Sequence, residues 1–266
     1  MKRTTIRPLL EHIAVPSPTL PPATKTNAWI LGQHTIIDPA ATRPKYKKEL
    51  ISILEKNPPK SIFLTHHHND HIGSATALRE HFQIPISCSA QTAKKLPFSV
   101  DVIRKDGDVL CLSGEEWVVL ETPGHAKGHL CLFSPTGKEI VAGDMVAGEG
   151  TILLVPGDGD FGDYITQLNR LKELAPTMLL PAHGPVIKDA VAYLQHYINH
   201  RQKRLQQIFD HLEQTPQSEL ELARRIYSDI PSSFHPIAAQ QILCHLQYLH
   251  TCKKAKPHKS GWILAG

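Results

Sequence analysis

The chain has 266 residues, of which 41% are hydrophobic and 20% are charged, a balance typical of a soluble globular protein. No apolar run approaches the roughly 20 residues that a membrane span needs, and the N-terminus lacks the apolar core of a signal peptide. Five cysteines without Cys-x-x-Cys spacing predict reduced, mostly buried thiols rather than disulfides or a cysteine-zinc site. We therefore expect a cytoplasmic protein without a membrane partner.

The formal net charge is +4, and the positive excess lies entirely in the C-terminal part. Residues 1–199 carry 20 Lys and Arg against 20 Asp and Glu, whereas residues 200–266 carry nine against five. Such a tail indicates either a polyanion partner or simple solvation, and charge alone favours solvation.

The first half of the chain alternates short apolar runs with helical spacing. A proline-rich stretch predicts an irregular surface segment, and the runs after it predict a hairpin, then alternating helices and strands. The predicted segments are the irregular stretch 16–26, the hairpin 28–31 and 34–38, the helices 44–56 and 72–82, and the strands 61–64 and 85–88.

The second half begins with a meander and ends in helices. Residues 145–162 are rich in glycine and predict a long functional loop. The tail order, helices followed by a short β element, is that of a winged-helix unit, so we predict domains at 1–199 and 200–266. The predicted elements are the strands 109–112, 117–120, 130–133, 140–142 and 177–180, and the helices 164–174, 189–212, 219–230 and 235–249.

The main chemical signal is the run Thr65-His66-His67-His68-Asn69-Asp70-His71, directly after the predicted strand 61–64. In an extended segment, residues two apart point the same way, so His66 and His68 can bind one ion together. Asp70 and His71 lie on the following turn, where they can address a second ion. Imidazole and carboxylate ligands suit zinc, manganese or iron.

Three further candidate ligands each follow a predicted strand, beside glycine or proline. They are His125, Asp144 and His183, and a tight turn can aim each side chain. We assign His66, His68 and His125 to one metal and Asp70, His71 and His183 to the other. Asp144 is predicted to bridge both.

A water shared by two cations about 3.5–4 Å apart is acidified from a pKa of 15.7 to about 7, so a bridging hydroxide is available at neutral pH. This hydroxide would attack an electrophilic carbonyl or phosphorus while the metals stabilise the developing oxyanion. Asp70 and Asp144 are the predicted catalytic residues, Asp70 because it can orient the hydroxide or pass on its proton.

The ordered ligand set over roughly residues 27–187 resembles the metallo-β-lactamase superfamily, with its HxHxDH motif and later His, Asp and His ligands. The resemblance implies an α/β fold, a four-layered αββα sandwich. Residues 143–151, 164–174, 181–187 and 197–201 look like β-lactamase-like protein 2. That family adds a small C-terminal winged-helix-like domain and includes a zinc-dependent endoribonuclease. The resemblance implies two Zn²⁺ ions, with Mn²⁺ or Fe²⁺ possible, and single-stranded RNA as substrate.

Two alternatives stay open. Glyoxalase II, a thioesterase, shares the turn Thr122-Pro123-Gly124-His125 and a C-terminal helical region, and its substrate is a small thioester. A nucleic-acid-binding regulator with a vestigial metal site is the other. Exported β-lactamases carry a signal peptide, and the 38 residues between Asp144 and His183 leave no room for the β-CASP insertion of related nucleases.

Five further features receive supporting or structural interpretations. Asp38 stands where the family has Asp-Thr-Gly and is expected to support the ligands from behind. His67 occupies a variable motif position and is expected to point away from the metals, and His129 is expected to orient its loop. The segment 157–160 is interpreted as a turn, and Arg201, Lys203 and Arg204 as contacts to phosphates or residues that merely flank the helix.

Overall fold

The computed structural model describes residues 1–265, and its N-terminal part forms a seven-stranded mixed sheet. The strands are β1 (Arg3–Arg7), β2 (Leu10–Pro16), β3 (Lys25–Leu31), β4 (Thr35–Ile37), β5 (Ser61–Phe63), β6 (Ile86–Ser89) and β7 (Val102–Arg104). They lie in chain order across the sheet. The first four strands pair antiparallel, and β4 to β7 pair parallel.

The second sheet has five strands and follows the first in the chain. These are β8 (Val109–Leu112), β9 (Glu115–Glu121), β10 (Leu130–Ser134), β11 (Glu139–Gly143) and β12 (Met178–Pro181). The order β12-β11-β10-β9-β8 is antiparallel except for the parallel pair β11 and β12. The parallel pair places the ends of β11 and β12 at the same edge, which is where Asp144 and His183 follow.

Three hydrophobic clusters separate four layers. The central cluster joins the two sheets through Trp29 and Phe63 on one side and Trp117 and Leu132 on the other. The outer face of the first sheet is covered by α1 (Pro44–Leu54) and α3 (Ala75–Phe82). The outer face of the second is covered by α5 (Phe161–Glu173) and α6 (Ala190–Asp210). The predicted αββα sandwich is confirmed.

The C-terminal residues form a small winged-helix domain with its own hydrophobic core. It consists of α7 (Glu219–Ile226), a 3₁₀ turn (Ser232–Phe234), α8 (His235–Thr251) and the hairpin β13 (Ala255–His258) and β14 (Gly261–Leu264). The core also includes Ile208 from the end of α6. Because α6 contributes to both cores, it runs through the boundary that we predicted at residue 200, and the domain limits stay a prediction.

The helix α8 packs between the winged-helix core and the layers of the αββα sandwich. Its Gln241 Oε1 accepts a hydrogen bond of 2.8 Å from the Leu154 backbone N–H, and the His245 ring lies 4.5 Å from the ring of Phe161 between centroids. The long loop after β11 is thereby held on one side by α8. Its buried side chains include Val146, Ile152 and Leu154.

Some elements differ from the sequence predictions. The helix predicted at 72–82 begins only at Ala75, as α3, and Asn69–Ile72 form a separate short helix, α2. The two are separate because the Ser74 N–H donates to Pro39 O (2.7 Å) instead of continuing a helix. The strands β1, β2 and β7 and the short helix α4 (Ala90–Ala93) were missed. The turn between β1 and β2 contains Pro8 and Leu9. Leu9 has φ of 64°, a conformation that favours glycine, so the sequence does not indicate a hairpin turn there.

Across residues 1–265, no helix combines the length and apolarity that crossing a membrane requires.

Candidate metal centre

Three imidazole rings converge beside the end of β5. His66 Nε2 lies 3.0 Å from His68 Nδ1 and 3.3 Å from His125 Nε2, and His68 Nδ1 lies 3.0 Å from His125 Nε2. His66 and His68 come from the extended segment after the strand, and His125 comes from the turn after β9. These three atoms are suited to holding one metal ion.

A second group lies next to the first and shares Asp144 with it. His71 Nε2 is 3.9 Å from Asp70 Oδ1 and 3.6 Å from Asp144 Oδ1. His183 Nε2 is 3.5 Å from Asp70 Oδ2 and 3.4 Å from Asp144 Oδ1. The other oxygen, Asp144 Oδ2, lies 3.5 Å from His125 Nε2. Asp144 therefore stands between both triads, and all seven side chains named from the sequence meet at one place.

Each ring's far nitrogen has a partner, which assigns the tautomer from the hydrogen-bond network. His66 Nδ1–H donates to Thr65 Oγ1 (2.9 Å), His125 Nδ1–H to Leu153 O (2.9 Å) and His183 Nδ1–H to Lys25 O (3.1 Å). The near nitrogens are left with lone pairs that face the centre.

Asp38 supports the second group from behind, as expected. Its Oδ2 accepts from His71 Nδ1–H (2.8 Å), and its two oxygens accept from the Thr65 hydroxyl (2.6 Å) and backbone N–H (2.8 Å). Asp38 itself has φ of 50° and is buried. It thus ties the end of β4 to the histidine-rich turn.

His129 forms a hydrogen bond with the backbone of Asp144. Its Nε2 accepts a hydrogen bond of 3.1 Å from the Asp144 N–H, and its Nδ1–H donates to Thr122 Oγ1 (2.8 Å). Both ring nitrogens are used, so His129 has no lone pair left for a metal and orients the loop, as expected from the sequence.

Asp158 is the functional residue that sequence reasoning missed. Its Oδ2 accepts from His68 Nε2–H (3.1 Å) and from His67 Nε2–H (3.2 Å), and its Oδ1 accepts from Lys95 Nζ and from the Lys127 N–H (3.0 Å). The segment 157–160 was interpreted as a turn only. Residues 157–158 do form a turn. The local sequence cannot show that Asp158 in this turn contacts His68, which lies 90 positions earlier in the chain.

A sequence profile of the metallo-beta-lactamase superfamily matches residues 22–183, more than half of the chain. The chain belongs to the metallo-beta-lactamase superfamily. A second profile, the beta-lactamase associated winged helix domain, matches residues 218–262. This metallo-beta-lactamase superfamily protein is accordingly a metal-dependent hydrolase.

The matched relatives and solved structures cover different shares of this chain. A beta-lactamase-like protein 2 homolog from Drosophila melanogaster is 28% identical over 255 residues, 89% of this chain and 86% of the relative. A hydroxyacylglutathione hydrolase from Yersinia pestis is 32% identical over 163 residues, 58% of this chain and 60% of the relative. A beta-lactamase domain protein from Burkholderia ambifaria, 18% identical, superposes with a TM-score of 0.88 over 99% of this chain and 93% of its own.

Burial and charge act in opposite directions on the superfamily's ligand residues here. Burial lowers the pKa of His125 to about 4 and lowers that of His66 well below its ordinary value. Burial also opposes ionisation of His71, but the carboxylates of Asp144, Asp38 and Asp70 outweigh it and raise the pKa of His71 well above its ordinary value. Burial therefore favours the neutral form of His66 and His125, whereas the neighbouring carboxylates favour the protonated form of His71.

The residues present fit a pair of metal ions. His71 Nε2 and Asp144 Oδ1 are buried without a hydrogen-bond partner among residues 1–265. The lone pairs of the His66, His68 and His125 triad face one another at 3.0–3.3 Å. Neutral rings repel in that arrangement, whereas a tetrahedral cation with bonds of about 2.0–2.1 Å needs ligand nitrogens about 3.3 Å apart. The geometry and the donor atoms suit divalent metals and do not choose among them.

A pocket of about 230 Å³ opens over the ligands. Its walls come from two segments, one after β2 and one in the long loop after β11. Apart from the ligands, its lining is largely apolar and includes Pro18, Leu20, Pro21, Ile152, Leu153 and Val155. We call this the catalytic pocket.

Arg201 corrects a sequence interpretation. It was expected to contact phosphates or merely to flank its helix, yet it is buried and donates through Nη2 to Ile152 O. Its guanidinium lies 5.1 Å from the ring centroid of Tyr164 and 5.5 Å from that of Tyr197. Arg201 therefore fixes the loop that forms one wall of the catalytic pocket.

Proposed function

We propose that this metal-dependent hydrolase acts on carboxylic thioesters or esters. The observation that carries the proposal is the composition of the catalytic pocket. Within the described part of the chain, none of the residues lining that pocket is Lys or Arg, and the charged residue that accompanies the ligands is the acid Glu149. A phosphodiester backbone is bound chiefly through Lys and Arg, whereas an uncharged carbonyl group needs none.

The metal ions, when bound, supply an acidified water and stabilise developing negative charge. The residues of the chain orient the attacking water, accept its proton and exclude bulk water. Asp70 lines the pocket, and in this proposal its carboxylate orients the attacking water and accepts its proton. His183 Nε2 lies 3.5 Å from Asp70 Oδ2, so a metal ion held by both residues would fix the Asp70 carboxylate in place. The apolar walls exclude bulk water from the reacting carbonyl.

Cleavage of single-stranded RNA is the second candidate. It is favoured by the match to a beta-lactamase-like protein 2 homolog, which covers both domains of this chain, whereas the hydroxyacylglutathione hydrolase match covers 58% of it. Lys256 and Lys259, exposed on or beside the β13–β14 hairpin, could contact phosphates. Against RNA stands the lack of Lys and Arg side chains in the lining of the catalytic pocket.

The regulator alternative is disfavoured by the position of α8. A winged-helix protein that reads DNA inserts its recognition helix into the major groove. Here Ala238, Ile242 and Leu246 of α8 face the domain's own core, and Gln241 and His245 face the hydrolase layers. Packed on both sides, this helix is not free to enter a groove.

A substrate panel tests the proposal. Zinc-loaded protein would be given S-lactoylglutathione, an acyl thioester series and an unstructured RNA, with Asp144→Asn prepared in parallel as the inactive control. We expect thioester hydrolysis that Asp144→Asn lowers at least 100-fold, and Asp189→Asn, an exposed carboxylate without a side-chain cap bond, leaves it unchanged. RNA cleavage that Asp144→Asn abolishes, without any thioester turnover, would replace the first candidate by the second.

A further inference from the structure

A second cavity adjoins the catalytic pocket and lies between the two domains. It has a volume of about 430 Å³, within the roughly 300–1,000 Å³ of typical small-molecule sites. Four residues line both cavities: Leu20, Pro21, Thr151 and Leu153. The far wall comes from the winged-helix domain, from residues within 227–241. We call this space the interdomain cleft.

The walls of the interdomain cleft are mostly apolar and partly exposed. Leu20 is 46% exposed, and Phe234 and Ile237 are each 38% exposed. Across residues 1–265, seven large hydrophobic side chains are exposed, and four of them, these three and Val155, line the cleft or the catalytic pocket. Exposed apolar side chains are ordinary when scattered, but their grouping around one opening marks a binding surface.

Charge in the cleft is confined to a few positions. Arg204 stacks on the Tyr227 ring at 4.2 Å and donates to Ile226 O (3.0 Å), so part of its hydrogen-bonding capacity is already used. Arg201 is buried and held by the loop, and Asp229 supplies one negative charge. The cleft therefore offers apolar area beside the metal ligands rather than a row of phosphate contacts.

We propose that the interdomain cleft binds the apolar acyl chain of the substrate, with the thioester carbonyl in the catalytic pocket. This inference rests on the proposed thioesterase or esterase function. The two cavities adjoin at Leu20 and Leu153, which line both, and in this proposal a chain attached to the reacting carbonyl passes over these residues from one cavity into the other. Phe234 and Ile237 cover that chain, which makes the winged-helix domain a specificity element.

An acyl-length series on one thiol tests the inference. Between acetyl and decanoyl glutathione, kcat/KM should rise about fourfold for each methylene that enters the cleft, which corresponds to about 0.8 kcal/mol. In the double variant Phe234→Ser and Ile237→Ser, the decanoyl-to-acetyl ratio of kcat/KM should fall at least tenfold. The control Val109→Ser and Val191→Ser removes two apolar side chains, 48% and 40% exposed, that do not line the cleft, and it should keep the ratio.

Direct binding separates this inference from the proposed function. Titration calorimetry of the zinc-loaded protein with decanoate should show saturable binding at least tenfold tighter than with acetate, which has the same carboxylate and no chain. The Phe234→Ser and Ile237→Ser variant should lose that preference. If decanoate binds in this way and neither a thioester nor an ester is hydrolysed, the proposed function is refuted while binding of an apolar chain in the cleft is supported. If the preference is missing, or the double variant retains it, the inference is overturned.

Discussion

At the residue scale, the ligand His68 depends on a carboxylate far away in the sequence. His68 presents Nδ1 to the metal centre because its Nε2–H donates to Asp158 (3.1 Å). Burial acts to raise the pKa of Asp158, but hydrogen bonds from His67, His68 and Lys95 outweigh it and lower that pKa. Asp158 is thus an anion that fixes the tautomer and orientation of a ligand ring.

The substitution Asp158→Asn should weaken metal binding about 10- to 100-fold, because an amide is a poorer acceptor for the His68 N–H and can turn its own N–H groups toward the ring. Competition with a chromophoric chelator measures the affinity. Asp189→Asn is the matched control, since Asp189 makes no side-chain cap hydrogen bond at the start of α6. Unchanged metal affinity in Asp158→Asn would show that Asp158 does not support His68 as a metal ligand.

The cysteines give a second test at this scale. Burial raises the pKa of Cys88, Cys131 and Cys244 to about 12, whereas Cys111 and Cys252 are exposed. Because the thiolate is the reactive form, the three buried thiols should be inert at pH 8. Titration with a disulfide reagent should count two thiols in the native protein and five in denaturant. Reaction of more than two native thiols would contradict the burial.

At the element scale, tight turns aim the later ligands. Gly124 precedes His125 with φ of 135°, and a Cβ there would lie 2.4 Å from Tyr164 Cα. Gly143 precedes Asp144 with φ of 48°, and a Cβ there would lie 2.5 Å from His129 Nε2. Each glycine lets a strand end approach a neighbouring element closely enough to place its ligand.

Gly124→Ala should therefore cost more than about 3 kcal/mol of unfolding free energy and lower the metal content, because strain and a backbone overlap act together. Gly107→Ala is the matched control: its φ is 83°, but a Cβ there meets nothing within 4 Å. It should cost only about 1–2 kcal/mol and leave the metal in place. Denaturant unfolding measures the stability of the two variants, and elemental analysis measures their metal content. Equal losses in both variants would mean that the close approach of Gly124 to Tyr164 does not matter.

The ligands could be predicted because they are marked locally, and other features could not. His66 to His71 form one short run, and His125, Asp144 and His183 each follow an apolar strand beside glycine or proline. Asp158 and Arg201 gain their roles only through contacts with residues 90 and 49 positions away. The interdomain cleft likewise depends on how α6, α8 and the segment 227–234 lie against the loop, and residue spacing in the sequence does not encode that arrangement.

At the scale of the whole molecule, α6 and α8 join the two domains. Tyr197 of α6 lies in the hydrolase-side cluster, and Ile208 of the same helix lies in the winged-helix core. His245 of α8 is buried against Phe161 of α5, and its Nδ1–H donates to Gln241 O (2.6 Å). The domain junction therefore contains a buried ionisable ring.

This ring should make the junction sensitive to acid. Burial lowers the pKa of His245 to about 3, below the 6.5 of an exposed histidine, so the unfolded chain binds more protons between those values. Its contribution to stability is complete above pH 6.5 and is lost as the pH falls toward 3, by about 1.4 kcal/mol per pH unit. His245→Leu should flatten the pH dependence of unfolding by about that slope. An unchanged slope would contradict the assignment of the junction.

The account as a whole depends on seven side chains holding two metal ions. A crystal structure of the metal-loaded protein, with anomalous scattering collected at the metal edge, tests this most directly. We predict two peaks about 3.5–4 Å apart, one bound by His66, His68 and His125 and one by Asp70, His71 and His183, with Asp144 between them. A single peak, or peaks bound by other residues, would contradict the account.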